Sequence, residues 1–186
     1  MDAPDLHQRA LEETSRLARD IRVDQLDVAT PCEGWTVRQL LGHMTGGNVR
    51  WIRMAAGEDV QLGVPDAAID DPGEYIRSAK ALDDAWRKPG LLQRTFHRGR
   101  DVTGDWLLRQ HIVETVVHGW DLARAIGGEP RFPEDVVAAA MEFATTNMPV
   151  ERPPGSPFAP ATDATGTSVE INKLAAFMGR DLSATR

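Results

Sequence analysis

Four ionisable side chains, His111, Glu114, His118 and Asp121, share one face of a helical stretch running from Trp106 to Gly127. At 100° per residue they span about 80°, together with Leu107, Leu122 and Ala125. Ile112, Val113, Val116, Val117 and Ile126 cover the other sides, so the helix is apolar nearly all round and belongs at the centre of a bundle. A charge buried there costs several kcal/mol unless a metal, a mutual network or a wet cleft compensates it.

The spacing Glu114-x3-His118 stacks two donors one turn apart, where both can approach one ion. His43, on the shoulder of another amphipathic helix, is the best third ligand. Two nitrogens and one carboxylate leave a coordination position open, which marks a catalytic rather than a structural metal site. The pair by itself is a common helix-surface interaction; its apolar helix and its neighbours His111 and Asp121 give it weight. His111 suits proton transfer or a structural hydrogen bond, and Asp121 suits orienting an imidazole or tying down a neighbouring helix. Arg50, two turns after His43, is either an anion contact for a bound cofactor or an exposed arginine, the latter being the simpler reading. Cys32 reads as a small buried residue rather than a nucleophile, because no histidine lies near it in the sequence. His7, in a polar first turn, and His97, among Arg94, Arg98 and Arg100, read as surface residues. The His-Glu-x-x-His motif, a Ser-centred nucleophile elbow and a phosphate-binding glycine loop are all absent, which excludes a zinc protease of that type and a nucleotide enzyme.

The elements that must position these groups read as helices. The apolar period predicts one from Ala3 to Ile21, and Thr36 with Gln39 forms a capping box opening a second from Val37 to Ala56. Gly42, Gly46 and Gly47 inside that helix imply close approach of another backbone or a ligand. A long loop over 57–72, a helix over 73–88 and an irregular segment with a strand hint at Thr95-Phe96 follow. The organising helix runs from Thr103 or Gly104 to Gly127, a further helix ends near Asn147, and a short helix closes the chain after a proline-rich stretch.

The chain has 186 residues, 41% hydrophobic and 26% charged, which suits one all-α domain: a bundle over 1–148, with 149–186 a tail and docking helix of the same domain. A net charge of -7 and a pI near 5.2, with scattered basic residues, argue against nucleic acid and anionic membranes as partners. One cysteine excludes an internal disulfide, and neither a signal peptide nor a membrane span is visible, so a cytoplasmic location is expected. A spare apolar face on such a bundle would support a homodimer.

The strings TPCEGWTVRQLLGHM and ETVVHGWDLARAIG, in this order and separation, resemble the two signature regions of the metal-binding domain of mycothiol-dependent maleylpyruvate isomerase, within the DinB and YfiT-like superfamily. The tail from SPFAP to LAAFMGRDL resembles a short single-domain subgroup of that family. The resemblance implies an up-and-down four-helix bundle with a divalent metal, usually zinc, held by His43, Glu114 and His118. Nickel, manganese and iron accept the same ligands. Glutamate at position 114, where many superfamily members carry a third histidine, points to the isomerase branch. The isomerase has a second, C-terminal domain, and here only residues 149–186 follow the bundle, so the metal chemistry is what carries over. The expected function is a metal-dependent enzyme that uses a mycothiol-like thiol for S-transfer to, or isomerisation of, a small electrophile. A hydrolase using metal-bound water and a non-catalytic ligand-binding bundle are the alternatives.

Overall fold

The computed structural model describes residues 2–61, 66–153, 156 and 158–183. In chain order these form α1 (Ala3–Arg19), a short 3-10 turn (Val23–Gln25), α2 (Val37–Ala56), α3 (Pro72–Trp86), the strands β1 (Thr95–His97) and β2 (Asp101–Thr103), α4 (Gly104–Ile126), α5 (Glu134–Asn147) and α6 (Glu170–Phe177). The helix starts follow local chemistry. Asp2, Asp71 and Thr103 each accept a hydrogen bond from a first-turn backbone N–H of α1, α3 and α4, and Gln39 accepts from the Thr36 N–H at 2.9 Å. Gly57 and Gly127, both at positive φ, end α2 and α4.

The expected all-α four-helix bundle is observed, built from α1, α2, α3 and α4. Contacts between His7 and His111, and between Gln25 and Ile126, show that α1 and α4 run parallel. Asn48 bonds Ser78 and Trp51 meets Trp86, so α2 and α3 also run parallel, opposite to the first pair. The order is therefore up, down, down, up rather than strict alternation. The connection between α2 and α3 must return along the bundle, and the Ile69 N–H reaches the Arg38 carbonyl at the start of α2.

That return explains two of the glycines. The Ala67 backbone lies where a Gly42 Cβ would stand, and the Asp66 carboxylate where a Gly46 Cβ would stand. Gly47 meets nothing within 4 Å. The loop expected over 57–72 has no regular structure at 57–61 and 66–71, and α3 begins at Pro72; residues 62–65 of that loop, and Pro154 and Pro157 of the tail, lie outside the described residues.

Central burial of α4 follows from two apolar cores on its opposite sides. One joins Leu107, Leu108 and Leu122 to α2 and α3 through Leu40, Leu41, Tyr75 and Trp86. The other joins Ile112, Val113, Val116 and Val117 to α1, α5 and α6. Trp120 donates to Asn172 of α6 at 2.9 Å. The strand hint at Thr95-Phe96 proves to be half of an antiparallel hairpin in which Phe96 and Val102, paired and buried, anchor its turn at Arg98–Arg100 beside the bundle. Among the described residues no helix is long and apolar enough to cross a membrane.

The two glycine environments make opposite expectations for one substitution. Gly42→Ala places a methyl against backbone that cannot rotate away, costing about 1–3 kcal/mol in overpacking against a helix-propensity gain of about 1 kcal/mol. Gly47→Ala has only the gain. Urea denaturation should therefore show Gly42→Ala destabilised and Gly47→Ala stabilised by roughly 0.5–1 kcal/mol.

Candidate functional site

A cavity of about 300 Å³ opens between α2, α4 and the hairpin turn, and His43, Arg50, Arg98, His111, Glu114 and His118 are among its lining residues. Helix packing brings the two candidate metal-ligand histidines together: His43 of α2 and His118 of α4 meet edge to face, with ring centroids 5.4 Å apart. The indole of Trp35 packs on His43 from another side at 4.6 Å.

Each of these rings is turned by a carboxylate. His118 Nδ1 donates to Asp121 Oδ2 at 3.2 Å, and His43 Nδ1 lies 3.4 Å from Asp66 Oδ2. A proton held on Nδ1 by a carboxylate leaves the Nε2 lone pair free for a cation, the arrangement in which histidines commonly serve as metal ligands. The carboxylates are themselves held. Arg180, beyond α6, donates to both oxygens of Asp121 at 2.7–3.3 Å, and Arg50 donates to both oxygens of Asp66 at 2.5 and 2.8 Å. Asp121 thus orients an imidazole and, instead of a neighbouring helix, ties down the segment beyond α6.

Glu114 is on the same wall, half-buried, with its carboxylate accepting from Gln110 Nε2 at 3.2 Å. Among the described residues the group of potential metal donors gathered within 4.8 Å is Cys32, His118 and Asp121. Both Asp121 oxygens there are already neutralised by Arg180, and burial pushes the Cys32 thiol above its ordinary value. This trio is an ion-pair network rather than a receptive ligand set. Its proximity does correct one premise about Cys32: His118, remote in sequence, is its neighbour in space.

Two further readings are corrected. Arg50 is not an exposed arginine; its side chain is 17% exposed and paired with Asp66. His7 is not a surface residue. It is 1% exposed, because α1 begins at Ala3 and the series Ala3, His7, Ala10, Leu11, Thr14 is buried inside the bundle. Its Nε2 lies 2.9 Å from His111 Nδ1. The helical spacing of that series was the available signal. His97 is on the surface as expected, beside Asp101. Sequence reasoning singled out neither Asp66, Arg98 nor Arg180 as functional, and no local pattern marks them: they arrive from a loop, a hairpin turn and the tail.

Burial governs the electrostatics. It lowers His43 to about 4 and His111 to about 3, assisted by the like charge of neighbouring histidines, and holds His7 well below its usual value. Burial raises Glu114, an effect that His118 and Gln110 partly offset. For Asp121 burial also pushes upward, but the hydrogen bonds from His118 and Arg180 outweigh it and the carboxyl is lowered. Arg98, half-buried and lowered by desolvation, faces Glu114.

The fold and site together define a helical bundle in which paired, carboxylate-oriented histidines face one cavity. Residues 7–123 match the model of the mycothiol maleylpyruvate isomerase N-terminal domain, and the chain belongs to that family. Uncharacterized proteins from two strains of Mycobacterium tuberculosis are each 31% identical to it over 185 residues, 97% of this chain and 98% of theirs. Crystal structures of the mycothiol-dependent maleylpyruvate isomerase and of one of its mutants share the fold, with TM-scores of 0.55 and 0.61 and identities of 19% and 17% over 74% of this chain. The chain spans 65% of the length of those structures.

Two stability tests follow from the buried groups. Arg180→Met leaves the Asp121 charge unpaired and should cost about 3–5 kcal/mol, whereas Asp121→Leu with Arg180→Met should cost less than half of that; equal losses in urea denaturation would refute the ion pair. His7 and His111 fold with lowered pKa values, so their contribution is complete above the ordinary histidine value and is lost as pH falls from there toward about 3 for His111. Each adds a limiting slope of about 1.4 kcal/mol per pH unit, while Glu114, raised by burial, acts in the opposite sense. Between pH 6 and 4.5 the stability of His111→Phe should therefore fall less steeply than that of the wild type.

Proposed function

We propose that the protein is a metal-dependent enzyme that uses a low-molecular-weight thiol of the mycothiol type to isomerise, or transfer sulfur to, a small anionic electrophile. The observation that carries this reading is the pair His43 and His118, held ring to ring at the cavity with a carboxylate at each Nδ1. Family membership supports the thiol. His43, His118 and Glu114 would hold the divalent ion, most simply zinc, once Glu114 exchanges its Gln110 contact for the metal. A divalent metal held there would lower the pKa of a bound thiol so that it is a thiolate at neutral pH, and reversible addition of that sulfur to an activated double bond would permit cis-trans isomerisation.

The chain's own residues do the rest. Arg98 gives the cavity wall a positive side that suits a carboxylate on the acceptor, while Arg50 is held by Asp66. Met44, Trp51 and Tyr75 form its apolar wall and exclude water. His111, neutral because it is buried, places a polar ring near the reacting atoms.

Elemental analysis of purified wild type and His118→Ala, combined with turnover assays on unsaturated carboxylates, tests this reading. The expected result is near-stoichiometric metal in the wild type, its loss in the variant, and turnover only when thiol is supplied. Arg98→Ala should raise KM for an anionic acceptor by roughly tenfold with little change in kcat. Turnover without thiol would instead mark a hydrolase, and a wild type that stays metal-free after reloading would end the metal assignment.

A further inference from the structure

His7 and His111 form a buried imidazole pair at the cavity wall, and no part of the metal or thiol chemistry requires the first of them. The pair is close, 2.9 Å from His7 Nε2 to His111 Nδ1, so one proton lies between the two nitrogens. If His111 supplied it, His7 would carry its own proton on Nδ1, where burial is complete and no hydrogen-bond partner is found among the described residues. If His7 supplies it, the unpartnered atom is an acceptor, a far more common condition in proteins than an orphaned buried N–H. The Thr115 hydroxyl, 2.8 Å from the His111 carbonyl and 3.1 Å from the same His111 nitrogen, can turn its one rotatable proton toward that nitrogen, so an unprotonated Nδ1 does not face a bare oxygen lone pair.

We propose that His7 is a positioning residue: it donates to His111 Nδ1, fixes His111 as the neutral Nε2–H tautomer, and so makes His111 a permanent hydrogen-bond donor to a carbonyl oxygen of the substrate. With Nδ1 turned to α1, Nε2 is the ring nitrogen left for the cavity that His111 lines. The Trp51 indole, 4.7 Å from the His111 ring, limits its rotation. When a nucleophile adds to the conjugated carbon of an unsaturated carbonyl compound, the π electrons move onto that oxygen, and they return when the nucleophile leaves. A fixed neutral N–H stabilises this transient charge, and no proton has to be transferred in either direction. His111 then acts as an electrophilic donor, not as a general base. The substrate class is an α,β-unsaturated carbonyl compound.

The donor role rests on the enzyme reading above; the tautomer does not, and the two fail separately. Nitrogen NMR of protein labelled in its histidine rings reads the tautomer without any turnover. Wild-type His111 should be a single Nε2–H form across pH 6–8. His7→Phe should convert it to the Nδ1–H form or a mixture, and His7→Gln, whose amide can donate to Nδ1, should restore it. An Nδ1–H form in the wild type, or an unchanged tautomer in His7→Phe, overturns the proposal even if the protein proves to be an active thiol-dependent enzyme. In turnover assays His7→Phe should lower kcat about tenfold at unchanged KM and without a shifted pH profile, with His7→Gln recovering most of it. A general-base role for His111 would instead show as a pH-dependent kcat and overturn the donor assignment.

Discussion

The fully buried carboxylate of Asp121 sets the terms for the rest of the molecule. A charge at that depth, on a helix packed from both sides, persists only with a cation and further hydrogen bonds around it. Arg180 supplies the cation and His118 the additional donor, so the helix, the C-terminal segment and the cavity are joined through one side chain. The C-terminal segment is consequently a structural component of the site. Its arginine fixes the carboxylate that fixes the imidazole.

The same solution recurs on the opposite wall. His43, Asp66 and Arg50 repeat the sequence of imidazole, carboxylate and guanidinium with residues from α2 and the connection after it. This second network depends on topology. Because α2 and α3 run parallel, their connection has to travel back along the bundle, and glycines at positions 42 and 46 let its backbone and Asp66 lie directly against α2. Two histidines on antiparallel helices thus meet at one cavity, each backed by its own ion pair.

Burial leaves that cavity lined by neutral imidazoles and by a glutamate raised above its usual range, with arginines alongside. Such a wall agrees with the proposed reading, in which a divalent cation would sit beside the two histidines and Glu114 and an anionic small molecule beside Arg98. His7 extends the neutral network into α1 and gives that helix a part in the site beyond packing.

Much of this was legible in the residues themselves. The period of Ile112, Val113, Val116 and Val117 around the polar stripe identified α4 as central, the Thr36 and Gln39 pair placed the start of α2, and two of the three glycines, Gly42 and Gly46, announced a close approach. His43, Glu114 and His118 could be named together because helical spacing and the family motifs are local properties. Asp66, Arg98 and Arg180 could not, because a residue in a loop, a turn or a tail carries no period, and its partner is chosen by the path of the chain. His7 lies between the two cases: its spacing placed it on the inner face of α1, but only the packing of α1 on α4 decided that a histidine, and not water, would meet it. Local interactions along the backbone determine which helices form and which faces are apolar. Which buried charges meet depends on free energies of desolvation that exist only after the helices have closed around them.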